Sequence, residues 1–287
     1  MSDRRSGWSD RARIIKGVSD ITADLGIINS VPNSVNKGGV ESRSGVNYGA
    51  KTSYINRGIN NYLGGLVVHT DNFSALQFFG EVVTGNLVMV DRLPEFTFRV
   101  QLSEDKYGEY TGFKFGSFNV IIEAGEPLII ETLDGRGKTF NPDNNGLLDK
   151  LEYDGVPVLG KNIIVKLDGV KVGALQSLNF SVNRSLAQYG DVGIESDDPA
   201  VITEGRQIIT INSLTTHITD ISAWNRAMSN DLVDLSVELP NGEELVLEDV
   251  LFDAGNPDDL NSDDDIKEVT NVGEAKSWKV NNFGGTA

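Results

Sequence analysis

No cysteine occurs among the 287 residues, which excludes disulfides, thiolate metal ligands and cysteine nucleophiles and leaves the fold to packing alone in any redox compartment. Histidine is nearly absent: only His69 and His217 exist, no serine stands in a Gly-x-Ser-x-Gly elbow, and no Ser/His/Asp grouping can be named. Each histidine reads as a surface or capping residue near a predicted helix start. No apolar run approaches the ~20 residues that span a bilayer. Gly7, Trp8, Ser9 and Asp10 follow the basic N-terminus where a secretion signal needs its apolar stretch, so a soluble chain that does not use that route is expected. Positive charge is also short. With 25 Lys and Arg against 42 Asp and Glu, the net charge of -17 argues against gripping DNA or an anionic membrane electrostatically. Such acidity suits a halophilic setting, where carboxylates keep the surface hydrated and salt screens their repulsion.

What is present is enough for a core: 39% hydrophobic residues over a length of about two domains. Residues 1–54 differ from the rest. Their sparse apolar residues are interrupted by Gly38-Gly39, Gly45 and Gly49, and Arg and Lys outnumber Asp and Glu there, so a basic arm unable to fold alone stands beside an acidic body. From Glu95 to Leu102 apolar and polar residues alternate strictly, as a half-buried antiparallel strand requires. Phe118, Val120 and Ile122 repeat the pattern, turn at Glu123-Ala124-Gly125-Glu126 and continue through Leu128 and Ile130. Further strands are expected at Ile163 to Leu167, turning at Asp168-Gly169, at Leu178 to Val182 and at Ile208 to Ile211. A hairpin joins Val233 to Leu239 with Leu245 and Leu247 through Pro240-Asn241-Gly242-Glu243. Two short amphipathic helices are expected, one capped by Asp71-Asn72 and carrying Phe73, Leu76, Phe79 and Val83, the other capped by Thr219-Asp220 and carrying Ile221, Trp224 and Met228.

The expected fold is therefore mainly β with short helices, an antiparallel barrel or sandwich of two related units. Residues 1–54 form an extended arm, 55–140 a first β unit with a helix, 141–160 an Asx- and Gly-rich connector, and 161–287 a second β unit with a helix and an acidic C-terminal region.

Few motifs carry chemistry. Gly137-Lys138-Thr139 resembles the end of a phosphate loop, but Thr132 replaces the required glycine and Asn141-Pro142 replaces the helix. Asn141, Asp143, Asn145, Asp149 and Glu152 fall at positions 1, 3, 5, 9 and 12 of a twelve-residue loop with Gly146 at the turn. This is the spacing of a calcium loop, offset by a neutral first position and by the lack of a preceding helix. The alternative reading is an Asx-rich connector without metal. Near the C-terminus, Asp253, Asp258, Asp259, Asp263, Asp264, Asp265 and Glu268 form an acidic run, either a solvated loop or a functional negative surface.

Asp91-Arg92-Leu93-Pro94-Glu95-Phe96-Thr97-Phe98, followed by Gly112-Phe113-Lys114-Phe115-Gly116-Ser117-Phe118-Asn119 and the strand ending in Glu123-Ala124-Gly125-Glu126, resembles tail tube proteins of long-tailed viruses. There an "LP.fT" strand precedes a "G.k.ns..i.ie.G" hairpin. Leu167-Asp168-Gly169 through Asn183-Arg184 is similar to a second hairpin of that family, "dG..ig.vqs.n.s.n", and the resemblance covers roughly residues 62 to 250. It implies a structural, non-enzymatic virion subunit without a cofactor, assembled in the host cytoplasm as hexameric rings that stack into a hollow tube. Other tail proteins would be its partners, viral DNA would transit the lumen unbound, and no membrane would be entered. Joined strand edges would build the inner barrel. An acidic wall would keep DNA from sticking, with Glu123, Glu131, Asp234 and Glu238 as lumen candidates, whichever sheet face turns inward. The N-terminal arm would supply the contact between rings. The alternative is a calcium-dependent β-sandwich adhesin using the Asn141 loop; an enzyme built on paired carboxylates is disfavoured because no pair stands out.

Overall fold

Residues whose side chains alternate between apolar and polar become two-faced strands, and here most of the described residues do so. The computed structural model describes residues 11–31, 33–36, 40–44, 53–57, 61–149, 153, 155–189, 201–217, 222–253 and 268–285. The first strands are β1 (Ala12–Lys16), β2 (Ser19–Asp20), β3 (Ile27–Ser30), β4 (Asn33–Asn36), β5 (Val40–Ser44), β6 (Ser53–Arg57) and β7 (Asn61–His69). After a single 3₁₀ turn at Ser74–Phe78 come β8 (Gly80–Val83), β9 (Asn86–Met89), β10 (Phe96–Gln101), β11 (Lys106–Phe113), β12 (Ser117–Glu123), β13 (Ile129–Gly137) and β14 (Thr139–Asn145). The second half contains β15 (Ile164–Leu167), β16 (Val170–Lys171), β17 (Leu175–Tyr189), β18 (Val201–His217), the helix α1 (Ser222–Ser229), β19 (Val233–Glu238), β20 (Glu244–Asp253), β21 (Glu268–Ala275) and β22 (Ser277–Asn281). Every pairing among them is antiparallel.

The large sheet runs in the order β16-β15-β19-β20-β21-β18-β17-β12-β13-β7-β3, with β4 also on β7, and with β22, β9 and β8 branching from β20. β20 pairs with β19 and β22 through its first half and with β21 only at Leu251 to Asp253, so one strand serves two layers. Asp249, with φ of 51°, lies just before that change of partner. The result is a sandwich whose sheet does not close into a barrel. Trp278 from the β22 layer meets Phe118 edge-on at 5.9 Å, and Phe118 in turn meets Phe180 at 6.3 Å and Phe79 at 4.7 Å. All four rings are buried. At ~1.5–3 kcal/mol for each such ring removed from water, this contact outweighs any single surface ion pair, at ~0–1 kcal/mol.

A second sheet, β14-β11-β10-β1-β2, packs over the far ends of β7 and β13. Phe98, Tyr110, Phe113 and Phe115 form its ring cluster. The approach is close because Gly64 and Gly135, paired across β7 and β13, leave room for Phe113: a Cβ on Gly135 would stand 2.4 Å from that ring.

Three expectations change. The arm expected over 1–54 is, from residue 11 to 36, part of the body: β1 pairs with β10, β3 and β4 pair with β7, and Ala12, Ile14 and Leu25 are fully buried. Only β5 and β6 pair solely with each other among the described strands, and residues 1–10 lie outside the described ones. The helix expected from Phe73 to Val83 is a 3₁₀ turn that ends at Phe78. Val82 and Val83 belong instead to a β8–β9 hairpin turned by Thr84 and Gly85, both at positive φ. The division at 141–160 does not interrupt the sheet, since β12 pairs with β17 along seven residues and one core cluster includes both halves. The second helix appears as α1, with its expected cap at Thr219-Asp220 outside the described residues.

Candidate functional site

Register decides what each sheet face presents. The alternation Ser177-Leu178-Asn179-Phe180-Ser181-Val182-Asn183 sends Leu178, Phe180 and Val182 into the core and the four polar residues to the opposite face, where Ser181 is itself covered. Across the neighbouring strands the outward row through Ser181 contains Val67, Glu131, Asn119, Thr210 and Glu274. The row through Asn179 holds His69, Ile129, Ile121 and Ser213, and the row through Ser177 holds Glu123, Thr215 and Thr270. This face of β12, β17, β18 and β21 is a field of Ser, Thr and Asn with a few Glu, and these rows carry no Lys or Arg.

The field is internally bonded. Asn212 Nδ2 donates to Asn179 Oδ1 at 3.0 Å, Asn183 Nδ2 to Ser181 Oγ at 3.2 Å, and the Thr215 and Thr270 hydroxyls lie 3.0 Å apart. Asn119 Nδ2 donates to Glu131 Oε2 at 3.4 Å. Short uncharged side chains that satisfy one another offer a charged polymer hydration but no counter-charge.

The four lumen candidates do not share one surface. Glu123 and Glu131 lie on the Ser/Thr/Asn face, Glu123 exposed at its end. Asp234 and Glu238 lie on β19, in the other layer, where carboxylates have cationic neighbours. Lys166 Nζ donates to Glu238 at 2.5 Å, and Lys279 Nζ to Glu248 at 2.7 Å. Hydrogen bonds from Lys279 and Ser277 hold the Glu248 carboxyl below its ordinary range, and the same bond raises Lys279. Asp234 accepts from the Asp249 N–H at 3.2 Å, while its own N–H donates to Asp168 Oδ1 at 3.0 Å, so it fastens two turns.

β17 and β18 extend beyond the sheet as a long hairpin whose base is clamped to the segment before β10. Glu204 accepts from the Leu93 N–H at 2.8 Å and from Lys114 Nζ at 2.6 Å. Arg184 donates to the carbonyls of Val90, Asp91 and Gly205 at 3.1, 2.5 and 3.1 Å. Partial burial alone would raise the nearby Glu95 carboxyl, but the hydrogen bond from Lys138 at 2.8 Å and the charges of Lys138 and Lys114 hold it below its usual range. The Leu93-Pro94 segment and the hairpin after Asp168-Gly169, read separately in the sequence, thus meet in space.

The Asx segment takes a different form from a calcium loop. Asn141, Asp143 and Asn145 lie on the extended strand β14, where alternate side chains stand ~6.6 Å apart instead of converging. Asp143 pairs with Lys106 at 3.3 Å, Asn141 Oδ1 accepts the Asp143 N–H at 3.1 Å, and Asp149 is exposed beyond Gly146. Glu152 lies outside the described residues, and among these no group of three or more His, Asp or Glu is placed to hold a metal ion. His69 and His217 end β7 and β18. A cleft of about 670 Å³ is lined by Asp71, Tyr153 and Glu243. Two of its carboxylates are engaged: Asp71 accepts from the Tyr153 hydroxyl, which burial and that contact push up to about 12, and Glu243 accepts two backbone N–H groups.

Among the described residues, no helix is long and apolar enough to cross a membrane. No protein-family model matches the chain, and no curated protein matches it.

Proposed function

We propose that the chain is a structural subunit that polymerises as hexameric rings stacked into a tube, the tail tube of a virus, through which DNA passes during ejection. The observation that carries this reading is the Ser/Thr/Asn face of β12, β17, β18 and β21, a broad sheet surface whose rows through Ser177, Asn179 and Ser181 carry no Lys or Arg, on a sandwich whose sheet stays open at its edges. Unpaired edges invite strand pairing with identical copies, which turns an aggregation hazard into assembly. A wall of hydroxyls, amides and scattered Glu in a chain of net charge -17 hydrates DNA without holding its phosphates. On this reading Glu123 and Glu131, which share that face, would line the lumen, and Asp234 and Glu238, on β19, would not. The β5–β6 hairpin is the portion of the N-terminal segment left to reach a neighbouring ring.

The absence of cysteine makes the test clean. In Asn179→Cys, a small maleimide labels both dispersed subunits and tubes, whereas a bulky polymer-linked maleimide labels only dispersed subunits. Negative-stain images of the same sample report whether rings and tubes form. Equal labelling of tubes by the bulky reagent puts this face on the outside and overturns the lumen assignment. Monomers at every concentration and ionic strength overturn the assembly.

A further inference from the structure

We propose that one end of the central sheet carries a docking cleft for the acidic segment of a second copy, so that copies stack head to tail; this rests on the tube reading and names the contact between its rings. The cleft, about 400 Å³, is lined by Arg136, Arg206, Ser117, Asp134, Asn183 and Arg184, among others. Arg184 is spent on Glu204 and nearby carbonyls, and the Asp134 carboxylate takes a hydrogen bond from the Ser117 hydroxyl at 3.4 Å. Arg136 and Arg206 have neither an ion pair nor a side-chain hydrogen bond among the described residues. Two unmatched guanidiniums in a concave polar site, on a chain with 42 acidic residues, call for an anionic occupant.

The chain supplies one at the opposite end of the same sheet. β18 carries Arg206 near its start and His217 at its end, a separation of ~36 Å along an extended strand. Glu268 pairs with His217, and Asp253 pairs with Val272, with β20 leaving the sheet toward the His217 end. Between Asp253 and Glu268 the sequence holds Asp258, Asp259, Asp263, Asp264 and Asp265 against the single Lys267. Asp263, Asp264 and Asp265 lie within five residues of Glu268, a reach of at most ~18 Å, far short of their own arginine cleft. The described ends of that segment, Asp253 and Glu268, thus lie at the far end of the sheet from the cleft, and chain length keeps a copy from filling its own cleft with Asp263 to Asp265. A translated second copy can fill it. Such a contact is heterologous, and it propagates along the strand direction as rings on a common axis do.

The test uses the full chain, sedimentation velocity and negative-stain microscopy, with circular dichroism verifying the fold of each variant. R136E/R206E is expected to form rings but to lose about tenfold in mean number of rings per stack, and D263K/D264K/D265K is expected to do the same from the other side. Combining both sets in one chain restores stacking, and R136K/R206K retains most of it. If one set disturbs folding, the other carries the test. Stacks of normal length from either folded single-sided variant, or rings of the native chain that never stack, overturn the proposal while leaving ring formation standing. Failure of the native chain to form rings overturns the tube reading itself.

Discussion

Glu243 shows how one side chain can hold three separate stretches together. It is 1% exposed and has no ion pair among the described residues, yet its two carboxylate oxygens accept the N–H groups of Phe73 and Gly284, each at 2.8 Å. Its own N–H is met by Asn241 Oδ1 at 3.0 Å, which shapes the turn between β19 and β20. Glu243→Ala removes the acceptor and strands two backbone donors away from water, so a loss of about 2–4 kcal/mol is expected in urea unfolding. Glu243→Gln keeps one acceptor and should lose about half as much. Equal stability of all three proteins would mean that water replaces the carboxylate.

Among the elements, the N-terminal strands change most between sequence and structure. β1 completes the second sheet by pairing Ala12 to Ile15 with Val100 to Thr97, and the Thr22 hydroxyl accepts the Ile14 N–H at 2.7 Å below it. Leu25 is fully buried, and β3 covers the edge of β7. A basic arm that merely stood beside the body could be deleted, up to residue 54, with the β body left largely intact. The packing reverses that expectation. Removing Ala12, Ile14, Ile21 and Leu25 uncovers Phe98 and its neighbours, and at ~1.5–3 kcal/mol per larger side chain the loss approaches the whole stability of a domain. The expected outcome is loss of the cooperative thermal transition. Deletion of residues 1–10 alone is the matched control and should keep it.

For the whole molecule, charge sets the working conditions. A net charge of -17 repels itself in dilute buffer, and raising salt shortens the Debye length from ~10 Å at 0.1 M to ~3 Å at 1 M. The urea midpoint of dispersed subunits should therefore rise with sodium chloride, with the largest gain below about 1 M. Stacking through the Arg136 and Arg206 cleft should weaken over the same range, because screening also removes the attraction between ends. Stability that falls with salt would count against the halophilic reading. The opposed trends separate subunit folding from assembly in one titration.

Local alternation alone carried much of this fold. β10, β12, β13, β15, β19 and β20 were legible because large apolar residues recur on one face of each, even where Ser236 and Val246 are buried on the other, and Asp168-Gly169 marks a turn with both residues at positive φ. The outward Ser177, Asn179, Ser181 and Asn183 were equally readable, as was the acidity of the segment before Glu268. Pairing was not. Nothing local tells β1 to seek β10, β9 to seek β22, or β20 to leave one layer for another, because strand partners are chosen by burial shared between residues far apart in sequence. The same reason explains where local spacing and structure part. Phe73, Leu76 and Phe79 carry helical spacing but are buried in and beside a 3₁₀ turn, with the β8–β9 hairpin following, and the Asx residues Asn141, Asp143 and Asn145 at calcium-loop spacing are drawn straight by β11. It also explains why Glu123 and Glu131 part from Asp234 and Glu238: the alternation shows that each points away from a core, and only the packing of the layers determines which face that is.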